Sequence, residues 1–320
     1  MSGEPVDLLV IGDCNPDVLV LGDDVTPAFG QQEKLVTSMS LVVGGSASIT
    51  AVAAARLGLR VALVAAVGDD AAGTFMLAEL ARAGVDTGAM AVRAQLPTGM
   101  TVALSRGADR AILTAEGAIA TLTPADVPAD LLARARHVHV SSYFLVERSL
   151  GPGLAALLAT ARAGGASTSL DTNWDPAGRW GADFFPDVLA QTEVLLPNEA
   201  EALRLAGTTD LPDAIASLTR AGGAIAVKLG ARGALYANRS QQYLATPPPV
   251  SPVDTTGAGD CFNAGLLAGL LRGFEPPAAL ALGCAAGAAS TRGIGGTGSS
   301  PGLAAALALA KDVTVRPGLG

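Results

Sequence analysis

Val253-Asp254-Thr255-Thr256-Gly257-Ala258-Gly259-Asp260-Cys261-Phe262 is the stretch from which the rest of the chain is read. Small and polar residues run straight into an apolar-periodic segment, Phe262, Leu266, Leu267, Leu270 and Leu271, which predicts a helix beginning near Gly257. Glycines at 257 and 259 let successive backbone N–H groups point one way, and such a nest at a helix N-terminus attracts anions, phosphate above all. Asp260 shares that place, where a bound phosphate would repel it. An acid there makes sense as the base for a hydroxyl attacking the phosphate, and the helix dipole is expected to keep it ionised. A lone Gly-Asp would read as an N-cap after a turn; the ten-residue string reads as chemistry.

Outward from this string, short apolar runs alternate with helical patterns. Val6–Ile11, Val61–Val67, Val138–Ser142, Ser169–Asp171, Val194–Leu196 and Ala224–Leu229 read as buried strands. Between them, Ser46–Leu57, Ala71–Ala83, Leu150–Ala163, Asn198–Ala206 and Pro212–Ala221 read as helices, and Gly257–Arg272, Pro276–Ser290 and Leu303–Ala310 make the C-terminal part helical with little strand. The alternation implies an α/β fold, a mostly parallel sheet with helices on both faces. Two regions break the pattern. Asp17–Gly22 with Leu35–Val43, and Gly99–Ser105 with Arg110–Thr114, read as β-ribbons, the second turning at Arg106-Gly107-Ala108-Asp109. They are expected to pair as a small sheet that covers an active site.

Composition sets the outer limits. Of 320 residues, 50% are hydrophobic and 16% charged, which excludes a disordered chain. A net charge of −8 argues against nucleic acid as a partner. Cys14, Cys261 and Cys284 are too few for a disulfide framework and point to a reducing, cytoplasmic setting. No export signal and no membrane span are expected: the mean hydropathy is +0.42, but the longest candidate, Ala278–Ser290, is mostly Ala and Gly and reads as a tightly packed helix. A Gly-x-x-x-x-Gly-Lys-Ser/Thr loop, a Gly-x-Gly-x-x-Gly after the first strand and a Gly-x-Ser-x-Gly elbow are all missing, so P-loop, dinucleotide and α/β-hydrolase chemistry are not indicated. His137 and His139, alternating on a strand without metal-ligand spacing, read as strand histidines.

The 253–262 string resembles the second signature of the PfkB-type, ribokinase-like carbohydrate kinases. Further matches follow in order: Gly44-Gly45-Ser46-Ala47-Ser48 leading into a helix, Val67-Gly68-Asp69-Asp70, Pro197-Asn198-Glu199-Ala200-Glu201, and Val227-Lys228-Leu229-Gly230-Ala231-Arg232-Gly233. The resemblance spans nearly the whole chain. It implies one ribokinase-like, three-layer α/β/α domain over 1–320, with lid strands at approximately 14–22, 35–43 and 97–115. It also implies transfer of the γ-phosphoryl group of ATP to a hydroxyl of a small sugar or sugar derivative.

By that resemblance Asp260 is the base, and the backbone of Gly257, Ala258 and Gly259 with Asp260 forms the anion hole. Asn15 and Asp17 hold sugar hydroxyls, joined by Gly44, Gly45, Ser46 and Thr98. ATP falls to Asn198, Lys228, Gly230 and Gly233. Asn198 and Glu201, spaced i, i+3 on one helix face, share the hydration shell of Mg²⁺, with Glu201 acting through water. Asp254 and Thr256 stand where the family holds K⁺ or Na⁺, and a homodimer through the lid is implied. The chain departs from the family at two places. Asp171-Thr172-Asn173-Trp174 continues to Asp175 where an Arg is usual, and Ile49 replaces an Asn expected to touch a sugar hydroxyl, so ribose is expected to be a poor substrate. A nucleoside kinase on the same fold and a non-catalytic sugar- or nucleotide-binding protein stay open at this point.

Overall fold

The structure, a computed structural model, describes residues 4–106, 109–181 and 185–318. From the N-terminus, β1 (Leu8–Gly12), β2 (Asn15–Leu21) and β3 (Ser38–Gly44) are followed by α1 (Ser46–Arg56), β4 (Val61–Gly68), α2 (Ala71–Arg82) and β5 (Ala91–Arg93). Strands β6 (Met100–Arg106) and β7 (Asp109–Ala115) lead through α3 (Ala129–Arg134) to β8 (His137–Val140), α4 (Tyr143–Ala163), β9 (Ser167–Leu170), α5 (Pro186–Ala190) and β10 (Val194–Leu195). Then come α6 (Glu199–Ala206), α7 (Leu211–Ala221), β11 (Ala224–Lys228), β12 (Ala234–Ala237) and β13 (Gln242–Thr246). Helices α8 (Ala258–Leu271), α9 (Pro276–Ser290) and α10 (Leu303–Ala310) precede the last strand, β14 (Thr314–Pro317).

Ten strands form one sheet in the order β14-β13-β12-β11-β10-β9-β8-β1-β4-β5. Every pair from β11 to β5 is parallel; β12, β13 and β14 add an antiparallel edge. Strand β1 explains the layering. Its alternate residues face opposite ways, as the period of 2 requires. Leu9 and Ile11 join Val138, Val140 and the α4 leucines Leu154 and Leu158 in one core, while Leu8 and Val10 join Ala51, Ala54, Ala264 and Leu267 of α1 and α8 in another. Both faces are covered, so β1 and β4 are apolar and buried along their whole length. The Ala/Gly-rich run belongs to α9, packed on α8 so closely that a Cβ on Gly265 would lie 2.7 Å from the Leu282 carbonyl oxygen. Among the described residues no helix is long and apolar enough to cross a membrane.

A separate four-stranded sheet has the order β3-β2-β6-β7, with β2 and β6 parallel and the outer pairs antiparallel. Of the expected hairpin turn, Gly107 and Ala108 lie outside the described residues. Helix α4 begins at Tyr143 rather than near Leu150. Gly151-Pro152-Gly153 looks like a helix start, but here it lies inside the helix, where Gly153 admits Pro124: a Cβ at 153 would stand 2.7 Å from the Pro124 Cγ.

Candidate active site

The parallel strands end at one edge of the sheet, and the chemistry collects there. Beyond β9 the chain places Asp171 in the interior, fully buried. Its Oδ2 accepts from the Lys228 ammonium at 2.6 Å and from the Asn263 amide at 2.5 Å. Burial alone would raise its pKa, but the Lys228 charge and these two hydrogen bonds hold it below the usual carboxylate range. Lys228 ends β11 with its side chain 13% exposed. Burial works against its charge, yet Asp171, Glu201 and Asp260 together keep it protonated.

Asn198 lies beside Lys228 because its backbone continues the parallel pairing there, and it caps α6. The Asn198 Oδ1 accepts from the Glu201 N–H at 2.9 Å, and the Glu201 carboxylate accepts in return from the Asn198 N–H at 2.8 Å and Nδ2 at 2.6 Å. The pair that the spacing put on one face is thus a reciprocal capping box. Glu201 is 4% exposed, and burial, with Asp171 nearby, pushes it up to about 7.

Gly257 takes φ +70°, and α8 starts at the next residue. Asp254 shapes this turn: its Oδ1 accepts from the Thr256 N–H at 2.9 Å and the Thr256 hydroxyl at 2.7 Å, and its Oδ2 accepts from the Gly295 N–H at 2.8 Å. Asp260 is 7% exposed in the first turn of α8. The dipole does not keep it readily ionised. Burial, then Asp171 and Asp13, push it up to about 8 against the pull of Lys228 and a hydrogen bond with Ser46.

Ser46 links this half of the site to the other. Its hydroxyl accepts from the Asn173 amide at 2.6 Å, and Asn173 also donates to Ser142 at 2.7 Å. Asp13, 3% exposed, accepts from the Ser46 and Ala47 N–H groups at 3.1 and 2.9 Å and so fixes the start of α1. Gly44 and Gly45 lie against the buried Asp17 and Asn15: a Cβ on Gly44 would overlap Asp17 Oδ1 at 1.9 Å, and one on Gly45 would stand 3.0 Å from Asn15 Oδ1. The Asn15 amide donates to Asp17 at 3.0 Å and to Thr101 of the small sheet at 3.1 Å.

Asp260, the Gly257–Gly259 turn, Lys228, Asn198, Glu201 and Ser46 come together in this way, with Asn15, Asp17, Gly44 and Gly45 adjoining. Gly230 and Gly233 form the tight turn after β11, beside α6, where Arg232 pairs with Glu199. Thr98 is spent elsewhere: 6% exposed, it accepts from the Gly68 N–H at 2.9 Å and donates to Asp70 at 2.6 Å, bracing the approach to β6. Ile49 is 3% exposed and packs against Gly257 and Gly296. Asp175 also turns inward, accepting from the N–H groups of Ala177, Arg179 and Trp180. Asn263 had no role assigned from sequence, and Asp171 only its place in a segment that resembles a family Asp-x-Asn run near the triphosphate. Asn263, three residues after Asp260 on α8, was within reach of a spacing argument; the depth of Asp171 was not.

Three buried carboxylates, Asp171, Glu201 and Asp260, act on one ammonium; with Asp260 raised to about 8 and Glu201 to about 7, their full negative charge develops only where a cation or higher pH draws the protons off. Among the described residues no group of three or more His, Cys, Asp and Glu side chains is disposed to hold a metal. Oxygen donors such as the Glu201 carboxylate are of the kind that suits Mg²⁺ carried on phosphate and held through water.

The chain thus sets a glycine turn and a buried acid at the C-terminal edge of the parallel strands of an α/β sheet. The family model for pfkB family carbohydrate kinases matches residues 7–302. Ribokinase of Bacillus subtilis (strain 168) is 31% identical over 92% of this chain and 96% of its own. Fructokinase of Klebsiella pneumoniae is 34% identical over 87% of this chain and 95% of its own. The solved structure of Arabidopsis thaliana ribokinase, complexed with ribose and ATP, superposes with a TM-score of 0.81 at 22% identity, covering 97% of this chain and 99% of that one. The chain belongs to the pfkB family of carbohydrate kinases.

Proposed function

We propose that this carbohydrate kinase moves the γ-phosphoryl group of ATP to a hydroxyl of a small sugar, with Asp260 as the base. The observation that carries the reading is Asp260 in the first turn of α8, hydrogen-bonded with Ser46 and within the field of Lys228. The ionised carboxylate takes the hydroxyl proton as the sugar oxygen bonds to phosphorus and the bond to the ADP oxygen breaks. Backbone N–H groups of Gly257, Ala258, Gly259 and Asp260 meet the charge on the transferring group, and Lys228 adds an ammonium beside it. Glu201 and Asn198 would hold Mg²⁺ through water, where it would supply screening of the phosphate charges and favour the ionised form of Asp260, otherwise raised to about 8. Asn15, Asp17, Gly44, Gly45 and Ser46 hold the sugar, and Gly230 and Gly233 give ATP room against the backbone.

The four-stranded sheet serves as the lid of a single kinase domain, which fits the bond from Asn15 to Thr101. Its other face presents the row Leu41, Val18, Val102 and Leu113, with Leu41 49% and Leu113 64% exposed, which supports a homodimer through this sheet; sedimentation mass decides it. Asp254 and the Thr256 carbonyl are assigned to K⁺ or Na⁺. Three free, buried cysteines support work in the reducing cytoplasm. The test is Mg²⁺- and acceptor-dependent ADP release across fructose, ribose, a ketodeoxy-sugar acid and adenosine, with and without K⁺. Turnover on a sugar is expected. Preference for adenosine makes the protein a nucleoside kinase, and turnover on none of them overturns the reading.

A further inference from the structure

Ile49 lies in the first turn of α1, on a base that cannot easily move. Its N–H donates to the Gly45 carbonyl at 2.9 Å, and Asp13 holds the two residues after Gly45. From there its side chain reaches two glycine backbones. A Cβ built on Gly296 would lie 2.4 Å from Ile49 Cδ1 and 2.9 Å from Cγ1. One built on Gly257 would lie 2.9 Å from Ile49 Cγ2 and 2.5 Å from the Gly296 Cα. The three residues therefore meet with no room for a methyl group. Gly257 opens the turn whose N–H groups meet the phosphoryl. The Gly295–Gly296 backbone is bound to that turn: Gly295 donates to Asp254 at 2.8 Å, and the Cys261 thiol of α8 donates to the Gly296 carbonyl at 3.4 Å.

We infer that Ile49 is a positioning residue: its side chain is the wedge between α1 and the Gly257–Gly296 corner, and it sets how far the sugar-holding segment Gly44–Ser46 stands from the anion hole. Close-packed interiors pass on displacement rather than absorb it, and a misplacement of about 1 Å at the reacting groups costs about 10²-fold in rate. The far end of α1 is tied to the same loop, where Arg56 donates to the Thr297 carbonyl and to the Ser300 hydroxyl, so the wedge sets spacing rather than attachment.

This inference rests on the kinase reading, and a size-swap cycle tests it separately once the wild type shows sugar turnover. Ile49→Ala empties the wedge; kcat should fall at least about tenfold while the KM for sugar stays within about twofold. Gly296→Ala puts a methyl into Ile49 and should lower kcat as well. Gly296 is not in the left-handed region, so alanine brings steric conflict without backbone strain. In the double variant the new methyl enters the emptied space, and kcat should return to within about threefold of the wild type. Ile49→Val, a milder void, should keep most of the rate and serves with Gly296→Ala should the alanine pair fail to fold. Single variants with wild-type kcat, or a double variant no faster than its slower parent, overturn the wedge and leave the kinase reading standing. A wild type inactive on every sugar overturns both.

Discussion

Asp260 stands at a helix N-terminus, yet burial and the neighbouring carboxylates raise its pKa to about 8. The cost of putting a charge in the interior exceeds what a dipole worth about 0.3–1 kcal/mol returns. Asp260→Asn keeps the shape and removes the base. Turnover should fall by about 10²–10⁴, while ATP binding, which uses backbone N–H groups, should persist. Wild-type turnover in this variant, measured where chemistry limits the rate, would reduce Asp260 to a cap. At this scale the sequence was informative wherever small residues and a polar one had to share a turn, as at 257–260 and at 44–46. It gave Asp171 a place in a family-like segment but not its ion pair with Lys228, because a strand-end aspartate looks the same whether it meets solvent or a buried ammonium. The packing of Ile49 on Gly296 was out of reach for a related reason: the face that a helical residue presents depends on what packs there, and Gly296 comes from 247 positions further along the chain.

Helix α6 joins structure and chemistry in one device. Its capping box uses both Glu201 oxygens on Asn198, so the same carboxylate that starts the helix adds a negative charge beside Lys228. Glu201→Gln keeps an acceptor for the Asn198 N–H and removes the charge. The Mg²⁺ concentration for half-maximal rate should rise several-fold, since one charge leaves the outer shell of the cation, and the thermal midpoint should fall somewhat, since the glutamine NH₂ meets an Asn198 donor. An unchanged Mg²⁺ titration, or a lost helix with unchanged Mg²⁺ demand, would leave Glu201 with capping alone. Elements carried by hydrophobic period were legible: α9 and α10 fall on the expected residues, and α1, α2 and α8 differ by a residue or so at their ends. The antiparallel strands β12, β13 and β14 were not: β13 and β14 are half-buried or exposed and lack the continuous apolar run that marked the buried ones, and β12, though apolar, is only four residues long. Their absence from the reading left the site intact, because the site lies where the parallel strands end.

The whole molecule carries two opposed sets of buried titratable groups, and its stability should record both. Asp260 and Glu201 are raised from 3.8 to about 8 and from 4.5 to about 7. The folded state binds their protons more tightly than the unfolded one, so the stability they give is complete below the unfolded values and is lost as pH rises through the folded ones. His137 and His139 go the other way: burial lowers them from 6.5 to about 3 and about 4, with Ser167 and Ser169 hydrogen-bonded to their ring nitrogens. Their contribution is complete above 6.5 and is lost as pH falls. Above pH 6.5 the folded histidines are neutral and the unfolded ones lose the rest of their charge, a smaller opposing gain, so the carboxylates dominate. Between pH 6.5 and 8 the protein without nucleotide or Mg²⁺ should therefore lose on the order of 2 kcal/mol, most of it from Asp260. Below about pH 3.8 the two carboxylates are protonated in both states, and stability should fall again as the histidines charge and as Asp7, held low by Arg60 and Arg136, loses its ion pairs. Thermal melts at pH 6.5 and 8 check the alkaline limb. The midpoint should drop at pH 8, and saturating Mg²⁺ should reduce the drop, because a cation at the cluster favours the ionised carboxylates. Asp260→Asn should flatten that limb without changing the acid one. A midpoint that holds or rises from pH 6.5 to 8 in the wild type, or an Asp260→Asn variant that falls as steeply, would mean that Asp260 is already ionised in the unliganded protein.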